Sequence, residues 1–187
     1  MAFAVEPART RSLIRAMRVF GFAGWSGSGK TSLIEALVPR LTADGLRVSL
    51  VKHAHHTFDV DQPGKDSHRH RTAGCVEVLV SSAERWALMH ELRGDRELAL
   101  GEAIERLSPC DLVLVEGYKR ARIPKLEIWR PSVGKPLLHP GDPEIVAVAT
   151  DVPGDLRAAG MRVFGLNDVA GIATFVGERA AVWPPAD

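Results

Sequence analysis

The octapeptide Gly24-Trp25-Ser26-Gly27-Ser28-Gly29-Lys30-Thr31 constrains this chain more than any other feature. It satisfies G-x-x-x-x-G-K-[ST] and lies between a strand-like run, Arg18 to Ala23, and an amphipathic stretch, Thr31 to Ala43. That strand-to-helix context marks a P-loop. Composition alone predicts about 0.004 such matches in this chain, so chance is a poor explanation. The glycines open backbone conformations in which successive N–H groups converge on phosphate oxygens at a helix N-terminus. Gly24, Ser26, Gly27, Ser28 and Gly29 are therefore candidate phosphate binders, with Lys30 reaching the β and γ phosphates. The Thr31 hydroxyl is a candidate ligand of Mg²⁺ and Ser32 a candidate for the α-phosphate. Trp25 reads either as an aromatic near the nucleotide or a subunit, or as a partly buried core residue.

The rest of the chain alternates short β-branched runs with amphipathic ones. This predicts an α/β P-loop NTPase fold, a mostly parallel sheet flanked by helices, with an added β-hairpin. Leu33, Ile34, Leu37, Val38 and Leu41 fall on one face of the first helix at a period of 3.6, and Gly45 supplies its stop. Pro39 predicts a kink or a break, because it removes a hydrogen bond to the Glu35 carbonyl. Further strands are expected at Arg47 to Lys52, Asp111 to Val115, Leu126 to Arg130 and Ile145 to Thr150. Lys65 to Ala73 reads as a short polar helix, Val76 to Ser81 with Arg85 to Glu91 as a hairpin, Glu97 to Leu107 as amphipathic, and Asp168 to Arg179 as a closing helix.

At 187 residues, one domain is expected over 17–180, with an N-terminal extension at 1–16 and a frayed tail at 181–187. Translation starting at Met1 and at Met17 are both open. With 24 basic against 23 acidic side chains the chain has no strong global field, which disfavours electrostatic nucleic-acid binding. No apolar run approaches the roughly 18 residues a membrane span needs. The two cysteines, Cys75 and Cys110, form no ligand pattern and suit the reducing cytoplasm.

A metal-bound nucleotide needs an acidic partner at the end of a buried strand. Asp111-Leu-Val-Leu-Val-Glu116-Gly117 supplies one: four apolar residues carry the chain through the sheet and deliver Glu116 to its carboxyl edge. Glu116 is thus the candidate for catalysis and for ordering the metal or its water. The segment Lys52 to Arg71 holds five of the seven histidines, including His55 and His56. It reads as a transition-metal site, a solvated charged loop, or an anion-binding surface at the phosphate edge. On the last reading Asp59 or Asp61 contacts the metal shell, and Lys52, His53, Asp66, Arg69 and Arg71 meet a second anionic ligand.

Together these residues resemble the molybdopterin-guanine dinucleotide biosynthesis adaptor family, MobB. The resemblance rests on residues 24–31, Val-Lys-His-Ala-His-His at 51–56 and Asp-Gln-Pro-Gly-Lys-Asp-Ser-His-Arg-His-Arg at 61–71. It continues through Glu-Arg-Trp-Ala-Leu-Met at 84–89, Leu-Val-Glu-Gly-Tyr-Lys at 114–119 and Leu-Asn-Asp at 166–168. It implies a homodimeric GTP-binding accessory protein and weak GTPase. Such a protein cooperates with a MobA-type guanylyltransferase in converting molybdopterin to its guanine dinucleotide form, with the 61–71 motif near the pterin phosphate. The N-terminal extension departs from the family pattern, as does Tyr118, where phenylalanine is often seen.

Base choice is less legible, because no Asn-Lys-x-Asp motif is present. Asp151 and Asp168, both near strand ends, are candidates for a carboxylate that pairs with guanine; either also reads as a loop or helix cap, the favoured reading for Asp168, which precedes an amphipathic run. Two other classes compete: a small-molecule P-loop kinase, and a GTP-dependent metallochaperone using the histidine loop.

Overall fold

The computed structural model describes residues 16–54, 58–154 and 161–184. Six strands run parallel: β1 (Arg18–Ala23), β2 (Val48–Lys52), β5 (Leu112–Glu116), β6 (Lys125–Trp129), β7 (Ile145–Thr150) and β8 (Val163–Gly165), in the order β2-β5-β1-β6-β7-β8. A two-residue strand, β9 (Ala181–Val182), pairs antiparallel with Arg18 and Val19, along the part of β1 before its pairing with β6 at Gly21. The strands β3 (Glu77–Ser81) and β4 (Trp86–His90) form a separate antiparallel hairpin.

Alternation along the central strands sorts their side chains onto two faces. Phe20, Phe22, Leu112, Leu114, Leu126 and Ile128 pack on one face under α1 (Lys30–Ala43) and α4 (Val169–Arg179). Val19, Val113 and Val115 point to the other, against Ile104 of α3 (Leu100–Glu105). Both faces are covered, so β5 reads as an unbroken apolar run. Truncating the fully buried Leu37 to alanine at the first interface is worth about 2–5 kcal/mol.

Helix α1 buries Leu33, Ile34, Leu37 and Leu41, the expected face, and runs unbroken through Pro39. The expected break does not occur. Pro39 and Glu35 are both exposed, so water can reach the carbonyl that the proline leaves unpaired, while core contacts anchor the helix before and after it. Fraying from residue 181 does not hold either, since β9 joins the sheet and Trp183 N–H donates to the Met17 carbonyl at 2.8 Å. Residues 185–187 lie outside the described residues. Strands β8 and β9 have only three and two residues, too short for alternation to reveal.

Helix α2 (Asp66–Ala73) has no buried residue and contacts the hairpin. The hairpin leaves Leu79, Trp86 and Leu88 exposed.

Candidate functional site

The parallel strands end at one edge, and β1 lies where chain connections diverge to either side, the place where open α/β sheets bind ligands. After Ala23 the chain turns at Gly24 with φ 142°, a conformation closed to most side chains. A Cβ there would also run into the Ile128 carbonyl oxygen and the Ser28 hydroxyl. The loop passes through Gly29 into α1. It opens on a cavity of about 660 Å³ lined by residues including Gly27, Lys30, Thr31, Lys52, Glu116 and Lys119.

Lys30 is half-buried, and its ammonium donates to the carbonyl oxygens of Gly24 (3.0 Å) and Trp25 (2.9 Å). Burial holds its pKa below the usual lysine range. Glu116 opposes that shift, while Lys119 and Lys52 add to it. Thr31 Oγ1 donates to Glu116 Oε1 at 3.3 Å, and Lys52 Nζ lies 3.3 Å from Glu116 Oε2. The β2–β5 register sets Lys52 directly opposite Glu116, and the β1–β5 register sets Phe22 opposite it. Gly117 then turns at φ 94°, where a Cβ would come 2.7 Å from the His53 carbonyl oxygen. His53 itself pairs through Nε2 with Glu97 at 2.6 Å and packs edge-on against Tyr118.

These residues fit a magnesium nucleotide. Among the described residues Ser28 Oγ is buried with no hydrogen-bond partner, and Thr31 and Glu116 offer the hard oxygen donors Mg²⁺ prefers. Lys30, Lys52 and Lys119 give the cavity the charge that polyphosphate requires.

Most of the other expected residues are not gathered there. Asp59 and Asp61 do not line the cavity; both hold Arg71, at 2.8 and 3.3 Å, and Glu91 closes the cluster at 2.6 Å. The hydrogen bond from Arg71 is the main cause of a lowered Asp59 pKa. For Asp61 burial acts upward, but hydrogen bonds from Ser67, the Gln62 N–H and Arg71 outweigh it. In this structure Asp59 and Asp61 are paired with the Arg71 guanidinium, which is held by three carboxylates in all. Asp66 and Arg69 pair with each other at 3.6 Å on the exposed surface of α2. Of the anion set, Lys52 and His53 line the cavity. His55 and His56 lie outside the described residues, among which no group of three or more His, Cys, Asp or Glu residues could hold a metal ion.

Asp168 caps α4, accepting from the Gly171 N–H at 2.9 Å. Asp151 lies 3.9 Å from Arg130, whose Nε donates to the Ser28 carbonyl at 3.1 Å. Arg130 and Lys119 also stand at this edge, outside the candidate site residues that the sequence marks. Each follows a buried strand at the carboxyl edge, the same signal that singles out Glu116.

A mostly parallel sheet with this loop at the carboxyl end of its first strand defines a P-loop NTPase fold. The family described as Molybdopterin guanine dinucleotide synthesis protein B, MobB, matches residues 19–151. The chain belongs to the MobB family. It is 45% identical over 163 residues to the Escherichia coli (strain K12) molybdopterin-guanine dinucleotide biosynthesis adapter protein, covering 86% of this chain and 91% of that protein. It is 41% identical over 159 residues to the Haemophilus influenzae adapter protein, covering 84% and 86% respectively. A crystal structure of molybdopterin-guanine biosynthesis protein B superposes with a TM-score of 0.66 at 27% identity, covering 86% of this chain and 98% of that one. The kinase and metallochaperone readings are not favoured. Among the described residues no helix is long and apolar enough to cross a membrane.

Proposed function

We propose that this protein is a GTP-binding accessory factor, a weak GTPase at most, acting in the cytoplasm. It assists a MobA-type guanylyltransferase in converting molybdopterin to its guanine dinucleotide form. The observation that carries the reading is the meeting of Lys30, Thr31 and Glu116 at one mouth of the P-loop in a chain whose relatives are named as adapters of that biosynthesis. Lys30 exchanges its two carbonyl partners for β and γ phosphate oxygens. Thr31 and Glu116 hold Mg²⁺ or its water, Glu116 serving as the candidate catalytic group. Bound Mg²⁺ supplies neutralisation of phosphate charge. Lys52 keeps the Glu116 carboxylate oriented across the β2–β5 register.

Asp151, beside Arg130 at the end of β7, is the candidate for guanine recognition; Asp168 has its carboxylate engaged in the α4 cap. The exposed apolar side chains of the hairpin support a homodimer. The deciding experiment is equilibrium binding of GTP and ATP with and without the guanylyltransferase and molybdopterin. Preference for GTP, strengthened by the partner, is expected; equal affinity for both nucleotides with no partner effect would refute the reading.

A further inference from the structure

A second cavity, of about 500 Å³, adjoins the P-loop, and Ala23, Trp25 and Lys119 line both. Its remaining walls are Arg120 and, from the opposite segment, Pro136, Leu137, Leu138, Gly141 and Asp142. Trp25 is tied to that wall: its Nε1 donates to the Pro136 carbonyl at 2.8 Å. Lys119 Nζ lies 4.9 Å from the ring centroid and Lys135 Nζ 5.9 Å, both within cation–π range.

Buried charges hold both walls in place. Lys125, 2% exposed, pairs with Asp142 at 2.7 Å and donates to the carbonyls of Lys119 and Ala121, each at 2.9 Å. That one ammonium ties the 119–121 turn to the 142 end of the opposite wall. Glu127, wholly buried, accepts from the N–H groups of Leu138 (2.7 Å) and His139 (2.9 Å) and tethers the middle of that wall. With Asp142 neutralised by Lys125, the charge facing the cavity is that of Lys119 and Arg120. An aromatic ring with cations around it suits a flat ring with an anionic substituent.

We propose that this cavity binds a planar heteroaromatic ring bearing a phosphate, of the pterin phosphate class, next to a nucleotide held by the P-loop. This rests on the adapter reading above, and it places the second anion at Trp25, Lys119 and Arg120 instead of at Arg69 and Arg71. Lys119, on the wall common to both cavities, senses both ligands.

The test is calorimetry of protein saturated with Mg·GTP, titrated with 6-hydroxymethylpterin phosphate, with the unphosphorylated pterin and inorganic phosphate as separate arms. The phosphorylated ring binds best, at one per chain, without displacing GTP. Arg120→Ala and Trp25→Leu each weaken it by about tenfold or more, while Arg120→Ala leaves GTP affinity unchanged and Trp25→Phe retains most of the binding. Equal affinity in Arg120→Ala, which is exposed and carries no fold risk, overturns the proposal, as does competition between the pterin and GTP. Failure of the wild type to bind GTP instead overturns the nucleotide reading, and the same pterin titration without nucleotide then still decides the cavity.

Discussion

Thr31 Oγ1 and Glu116 Oε1 are joined by a 3.3 Å hydrogen bond between side chains 85 positions apart in the chain. The first residue of the P-loop helix after its lysine thus touches the last residue of β5, and the Lys52 ammonium approaches the same carboxylate from the other side. Hydroxyl, carboxylate and ammonium form one ordered cluster at the edge where phosphate and metal are expected.

Glu116→Gln keeps the side chain's size and removes its charge. Mg²⁺-dependent GTP binding or turnover should fall roughly 10–100-fold, with metal-free binding much less affected. Calorimetry with and without Mg²⁺ reads the difference; equal losses in both would assign Glu116 a structural role.

Lys30→Ala removes the ammonium that faces the Gly24 and Trp25 carbonyls while leaving the core untouched. GTP affinity should drop by about 1.5–3 kcal/mol, a tenfold to hundredfold change. Because Lys30 is held below the usual lysine range, GTP affinity should also weaken with rising pH earlier than an ordinary lysine would cause. A folded Lys30→Ala variant with unchanged affinity would remove Lys30 from the phosphate site.

Arg71→Gln should loosen the hairpin and not the nucleotide site. Its guanidinium joins Asp59 and Asp61 to Glu91, just beyond β4, and its loss leaves three carboxylates to repel one another. Hydrogen exchange should quicken at the amides of β3 and β4 while GTP affinity stays constant. A parallel loss of GTP affinity would mean that the cluster reaches the phosphate edge.

Acid sensitivity should appear in part at Glu102. Hydrogen bonds from Arg96 and from the Ala99 N–H depress its pKa from the ordinary 4.5 to about 2. A depressed carboxylate contributes stability above its unfolded pKa and loses it as pH falls toward the folded value. The difference in urea midpoint between wild type and Glu102→Gln should therefore be constant near neutrality and shrink between pH 4.5 and about 2. A difference independent of pH would assign the stabilisation to something other than the charge.

The glycines and lysine of residues 24–31 determine a phosphate-binding turn by themselves, because the φ freedom and the helix start are local properties. The 3.6 period of Leu33 to Leu41 and the apolar run ending at Glu116 were equally legible, and with them the layered sheet. The destinations of the other charged groups were not. Asp59 and Asp61 look like metal ligands in sequence, and nothing local says that Arg71 takes both. Lys52 faces Glu116 only through the register of β2 on β5, and Arg130 reaches Ser28 only because β6 lies beside β1. Side-chain periodicity is set by the backbone of one segment, whereas the pairing of charges and the walls around Trp25 depend on which segments the folded sheet brings to the same edge.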